Sequence, residues 1–144
     1  MRFFFYGTLM DADVRRAVLG VRAAAPVEPA VLEGWRRVKM AGASYPVIVR
    51  ARGHRVEGIL MHGVDGRGRE MLQAYEGDEY AMIGIEVAAG AQRIEAKVFV
   101  PRPGLPVRAR GPWTLAAWQR RFKRRFLNGL QAQRGLPRAS AASL

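Results

Sequence analysis

The chain has no cysteine among its 144 residues, so disulfides, thiolate nucleophiles and Cys-type zinc sites are excluded together. Histidine is nearly absent too. His54 and His62 are the only two; they lie at no metal-ligand spacing, and each reads as a surface or strand histidine in place of a ligand or base. No run of about 18 apolar residues exists to span a bilayer as a helix. The start Met1-Arg2-Phe3-Phe4-Phe5-Tyr6 is too short and too soon interrupted for a signal sequence, and cytoplasmic residence is the expectation. A further absence is acidic: no Asp or Glu follows Glu95. Up to that point 13 Lys and Arg face all 12 acidic residues, and beyond it come 11 more basic ones. The net charge of +12 therefore belongs to the last third of a chain whose body is nearly neutral.

What is present is enough apolar sequence for one domain with a sizeable core. Phe3-Phe4-Phe5 predicts a buried strand, because aromatics suit the pleated backbone and the run is too short for a core helix. Gly7 ends it, as a residue that reaches positive φ freely and lets another group approach the main chain. Two readings of Tyr6-Gly7-Thr8-Leu9 stand: a turn whose backbone N–H groups form a small anion-binding concavity, or a plain strand-to-helix turn.

Asp11 or Asp13 is placed to cap a short helix through Leu19, with Gly20 closing it. From Ala23 to Met40 a β-branched pattern interrupted by Pro26, Pro29 and Gly34 suggests edge-like strands around a curved sheet. Tyr45 to Val49 and Val56 to His62 read as two further strands, and Gly58 marks a bulge or a close backbone approach. Met71, Leu72 and Tyr75 at helical spacing lead into Glu76-Gly77-Asp78-Glu79-Tyr80. Met82 to Ala88 and Arg93 to Val100 form a hairpin. After a proline-rich cover, Thr114 caps a helix over 113–128 in which Leu115, Trp118, Phe122 and Phe126 share one face and cations fill the others. Residues 1–130 are expected to form one domain, and 131–144, periodic in nothing, a disordered tail.

Little here carries chemistry. Gly42-Ala43-Ser44-Tyr45-Pro46 lacks the flanking glycines of a serine-nucleophile turn, and the glycines from Gly63 to Gly68 lack the Lys-Ser/Thr ending of a phosphate loop. Carboxylates remain. Glu76 is fitted to carry protons near neutrality if its side chain turns into an apolar cleft, with Glu79 close enough to raise its pKa further. A solvated acidic loop is the plainer alternative. The basic helix packs on its own domain with a solvated back, or binds nucleic acid or an anionic surface; its one-sided aromatics favour packing.

Phe4-Phe5-Tyr6-Gly7-Thr8-Leu9, Tyr45-Pro46-Val47-Ile48-Val49, Val56-Glu57-Gly58 and Leu72-x-x-Tyr75-Glu76-Gly77-x-x-Tyr80 together resemble, in order and spacing, the gamma-glutamylcyclotransferase-like family over Met1 to Val100. The resemblance implies an α+β fold, a small mixed β-barrel with flanking helices. It implies that Tyr6, Gly7, Thr8 and Leu9 hold the glutamyl end of a substrate, that Tyr80 lies against it and that Glu76 is the acid/base. The implied partner is a small γ-glutamyl compound, cyclised to 5-oxoproline by intramolecular acyl transfer without metal or cofactor. A non-catalytic binding module on the same fold is the alternative. Two departures bear on which amine is accepted: Gln73 stands where an aspartate is common, and Met82 where an arginine is frequent.

Overall fold

The structure, a computed structural model, describes residues 1–132. Nine regular elements follow in order: β1 (Phe3–Phe5), α1 (Ala12–Leu19), β2 (Val27–Lys39), β3 (Pro46–Met61), α2 (Gly66–Glu76), β4 (Tyr80–Ala89), β5 (Gln92–Pro101), α3 (Leu115–Arg121) and α4 (Lys123–Ala132). The strands close into a barrel in the order β1-β3-β2-β4-β5. All pairings are antiparallel except the one that closes the barrel, where Phe3 of β1 lies parallel to Lys97 of β5. The fold is thus a mixed five-stranded barrel flanked by four helices.

Two cores result from one alternation. Phe4 and Tyr6 point into the barrel with Leu32, Trp35, Ile48, Leu60 and Val98, whereas Phe3 and Phe5 point outward beneath Leu72, Trp118 and Phe126 of the helices. A strand buried on both faces needs a continuous apolar run, which is why Phe3-Phe4-Phe5 shows no polar alternation. Gly58 faces the same crowded layer. A Cβ there would lie 2.3 Å from the Phe5 carbonyl oxygen and 2.7 Å from the Phe4 ring, so the close approach expected at Gly58 is observed.

Some local expectations change. The segment from Ala23 to Met40 is one strand beyond a short 3-10 turn, with a register shift between Glu33 and Trp35 where Gly34 has φ +85°. Tyr45–Val49 and Val56–His62 are not separate strands; β3 runs through both. Arg50-Ala51-Arg52-Gly53-His54-Arg55 lacks an apolar face because most of it is exposed, and pairs such as Trp35 with Arg50 and Glu33 with Arg55 hold it extended. Gly7 has φ −128°, so it does not use the left-handed region; a Cβ would press on the Pro46 ring at 3.2 Å.

Helix caps match local chemistry. Asp11 accepts from Asp13 and Val14 N–H at 2.8 and 3.1 Å, Asp65 from Gly68 N–H at 2.7 Å, and Thr114 Oγ1 from Ala117 N–H at 3.2 Å. The helix expected over 113–128 is two helices broken at Phe122, and the second runs on through Ala132, past the point where disorder was expected at Gln131. The rest of that stretch, 133–144, lies outside the described residues. Trp118 is 1% exposed and meets Phe126 edge-on at 5.4 Å; Phe126 meets Tyr75 of α2 edge-on at 6.4 Å. Arg120, Arg121, Arg124 and Arg125 face solvent. The aromatic face is therefore committed to the core.

Two substitutions probe this packing. Trp118→Ala should cost roughly 3–5 kcal/mol of unfolding free energy by opening a cavity, and Gly58→Ala at least about 2 kcal/mol by forcing Phe4 and Phe5 apart. Urea denaturation of each variant checks both, and an unchanged midpoint for Gly58→Ala would show that the strands separate easily there.

Candidate active site

The end of β1 delivers the chain to the Tyr6–Leu9 turn at the barrel rim. Met10 N–H donates to Gly7 O at 2.9 Å and Asp11 N–H to Thr8 O at 3.0 Å, which closes the turn on its outer side. Among the described residues, no acceptor is paired with the N–H groups of Gly7, Thr8 and Leu9. Backbone donors left open at a turn are an arrangement that takes an anion. The Thr8 hydroxyl does not join them, being hydrogen-bonded to Tyr75 OH at 2.8 Å.

Helix α2 supplies the opposite wall. It starts at the Asp65 cap, buries Leu72 and Tyr75 and ends at Glu76, where Gly77 at φ +86° turns the chain toward β4. Only a residue free of Cβ strain takes that conformation readily, so Gly77 lets α2 stop with Glu76 turned inward. Tyr6, Gly7, Thr8, Leu9, Glu76 and Tyr80 line one cavity. Phe4, Phe5, Tyr45, Pro46 and Phe99 complete it. The cavity is about 30 Å³, room for about two waters, so a larger guest requires rim side chains to shift.

Among the described residues, Glu76 is the only charged one that lines the cavity. Its carboxylate has no hydrogen bond or ion pair with any described residue, and burial pushes its pKa from 4.5 up to about 8. A fraction of its area remains open to the cavity, while the surrounding protein removes most of the water a carboxylate would otherwise hold. Burial also raises the phenols of Tyr6, Tyr75 and Tyr80, and the Glu76 charge adds to each. They stay protonated at neutrality, Tyr6 donating to Phe99 O at 2.8 Å. The site thus pairs one carboxylate able to hold or release a proton near pH 7 with open amide donors.

The residues singled out in sequence, Tyr6 to Leu9, Glu76 and Tyr80, are brought together although some seventy positions separate the two groups. Glu79 is not. It is exposed, and Glu76 owes its raised pKa to desolvation with no contribution from Glu79, whose charge acts on Tyr80 instead. Asp78 is exposed as well. Sequence reasoning missed Tyr75 as the partner of Thr8 and Phe99 as the acceptor for Tyr6. Tyr75 was visible as a helical position and as part of the motif around Glu76, without a role of its own, and nothing local marks Phe99. His62 pairs with Glu28 away from the cavity, and His54 is exposed. Among the described residues no three His, Asp or Glu side chains are grouped to hold a metal ion.

The profile of the family described as gamma-glutamyl cyclotransferase, AIG2-like, matches residues 3–119. AIG2-like protein A of Arabidopsis thaliana is 29% identical over 126 residues, which is 86% of this chain and 75% of that one. The solution structure of an Arabidopsis thaliana protein superposes with a TM-score of 0.67 at 25% identity, over 95% of this chain and 94% of its own. A solved gamma-glutamyl cyclotransferase has a TM-score of 0.61 at 13% identity, over 92% and 86% of the two chains, a likeness of fold alone.

The buried carboxylate makes stability depend on pH in a definite sense. Because the folded-state pKa of Glu76 lies above the unfolded one, the folded protein holds a proton that the unfolded chain has released between about 4.5 and about 8, and stability falls as pH rises through that window. Glu76→Gln removes the penalty. The variant should match the wild-type unfolding free energy at pH 4 and exceed it at pH 9 by an amount on the order of a few kcal/mol, melting correspondingly higher there. Equal melting temperatures at pH 9 would mean that Glu76 is well solvated.

Proposed function

The chain belongs to the gamma-glutamyl cyclotransferase, AIG2-like family, and on that premise we propose that it is a γ-glutamyl cyclotransferase, converting a γ-glutamyl amine, peptide or amino acid to 5-oxoproline and the free amine or amino acid. The observation that carries the reading is a lone desolvated carboxylate, Glu76, lining the same cavity as the Tyr6–Leu9 turn, whose N–H groups are open.

The reaction is intramolecular. The α-amine of the glutamyl group attacks its own γ-carbonyl carbon, a C–N bond closes the five-membered ring, and the bond from that carbon to the departing nitrogen breaks. No water is consumed. Proximity favours ring closure, so the protein's task is to fold the substrate and move protons. Ionised Glu76 takes a proton from the α-ammonium, which frees the lone pair for attack, and returns it to the leaving nitrogen as the tetrahedral intermediate collapses. The ring nitrogen, cationic after the attack, gives up its second proton through the same carboxylate, so that the lactam is neutral and the amine departs as an ammonium. A carboxyl with a pKa near 8 serves both steps, since neither protonation state is far from neutrality. The turn N–H groups receive the α-carboxylate or the developing oxyanion. Aromatic walls at Phe99, Tyr45 and Tyr80 exclude water from the folded chain of the substrate. Gln73 is exposed and Met82 half-buried, and neither lines the cavity.

Incubation with a panel of γ-glutamyl amines, peptides and amino acids, with 5-oxoproline measured, tests the reading; no product from any of them would leave a binding protein on the same fold. Glu76→Gln should still bind substrate but form 5-oxoproline about 10²- to 10⁴-fold more slowly in single turnovers. Glu79→Gln should stay within about twofold of wild type, as an exposed charge screened by solvent.

The first step needs the ionised carboxylate, so kcat/KM should climb with pH up to about 8 and then level. A profile already flat from pH 5 would assign the proton transfer to a group other than Glu76.

A further inference from the structure

We propose that Arg15 is a positioning residue for the Tyr6–Leu9 turn, acting through two peptide relays that end on the open N–H groups of Thr8 and Leu9. The inference rests on the anion-binding role given to that turn above. Arg15 lies on α1, is 9% exposed, and its Nη1 donates both to Leu9 O at 2.9 Å and to Met10 O at 2.8 Å. Each of these carbonyls belongs to a peptide unit whose own N–H is already a donor. The Leu9 carbonyl shares its peptide with Met10 N–H, which donates to Gly7 O at 2.9 Å, and the Gly7 carbonyl shares its peptide with Thr8 N–H. The second relay runs in parallel: the Met10 carbonyl shares its peptide with Asp11 N–H, which donates to Thr8 O at 3.0 Å, and the Thr8 carbonyl shares its peptide with Leu9 N–H. Both relays start at one guanidinium and finish at the cavity.

Hydrogen bonds in series polarise one another, by about 10–30% per bond. A full positive charge at the head of each relay draws electron density toward itself, so the N–H at the far end becomes a stronger donor. That is the sense an anion-binding turn requires. The same two bonds fix the planes of the Leu9 and Met10 peptides, and with them the direction of the donors two residues back. Arg15 is itself held by the first turn of α1. Asp11, 2% exposed, caps that turn and is gripped by Gln119 Nε2 and Lys123 Nζ, each at 2.9 Å, while Lys123 also reaches Asp13 at 2.8 Å. The C-terminal helices thereby brace the segment that aims the donors.

If Arg15 only satisfies two carbonyls, its loss should cost stability without altering the N–H groups at the far end. The discriminating measurement is the amide spectrum of ¹⁵N-labelled full chain, for wild type, Arg15→Gln, Arg15→Lys and Asp13→Asn, recorded free and during titration with acetate and with 5-oxoproline. Arg15→Gln should move the Thr8 and Leu9 amide protons upfield in the ligand-free protein and weaken acetate binding at the turn about fivefold. Arg15→Lys keeps the charge with a poorer fork and should fall between it and wild type. Should Arg15→Gln fail to fold, Arg15→Lys carries the same comparison. Asp13→Asn loosens Lys123 but leaves both relays, and should move neither amide. Unmoved Thr8 and Leu9 amides in the Arg15 variants, or equal movement in Asp13→Asn, would overturn the proposal. A wild type that binds neither acetate nor 5-oxoproline at the turn would instead defeat the reading of the site, while the ligand-free shifts would still decide whether the relays exist.

Discussion

The three residues of β1 are buried on both faces, and the rest of the molecule is arranged to satisfy that demand. Phe4 needs the barrel to close around it and Phe3 and Phe5 need a helical layer outside, so neither core can form without the other. Phe3 and Phe99 stack with centroids 5.8 Å apart across the closing pair of strands, and Gly58 gives up its side chain so that β3 can approach β1. Because the strand is short and pinned at both ends, the chain leaves it at a fixed point. That point is the barrel rim where Tyr6 turns inward and the backbone of Gly7 to Leu9 is left with open donors.

Against that anchored turn, α2 places a carboxylate where solvation is poor. The burial that strips water from the carboxylate is what raises the Glu76 pKa, so the cost in stability and the usefulness in proton transfer have one origin. Tyrosines surround the carboxylate but their buried phenols keep their protons. Glu76 is thus the carboxylate of the site, and the site's other polar groups are hydroxyls and backbone amides.

The basic end of the chain has two unlike faces. Trp118 and Phe126 are drawn into the outer core, and Lys123 is neutralised by Asp11 and Asp13 at the first turn of α1. Arg120, Arg121, Arg124 and Arg125 remain on the solvent side. A high net charge thus coexists with an aromatic face whose Trp118 and Phe126 are used in packing, and charge composition alone says little about which surface meets a partner.

The sequence by itself determined the features that depend on a few neighbouring residues. The aromatic strand, the Asp11 and Thr114 caps, the α2 spacing that ends at Glu76, the β4–β5 hairpin and the one-sided aromatics of the last helices are all encoded by side chains that act on their own turn or pleat. Residue order across Tyr6-Gly7-Thr8-Leu9 and Tyr75-Glu76-Gly77 also carried the family resemblance, and with it the barrel. What only the tertiary structure decided depends on atoms far apart in the chain. The union of two expected strands into β3 comes from pairing with β2, because Arg50 to Arg55 has no apolar face to announce it. The break at Phe122 and the continuation of α4 come from docking on α2 and α1. The part of Gly7 is set by the Pro46 ring and not by its own φ. Desolvation of Glu76 required walls from β1, β4 and β5 to meet around it, and since burial is a property of the assembled surroundings, no reading of Glu76-Gly77-Asp78-Glu79 could tell that the first carboxylate turns inward while the last stays in water.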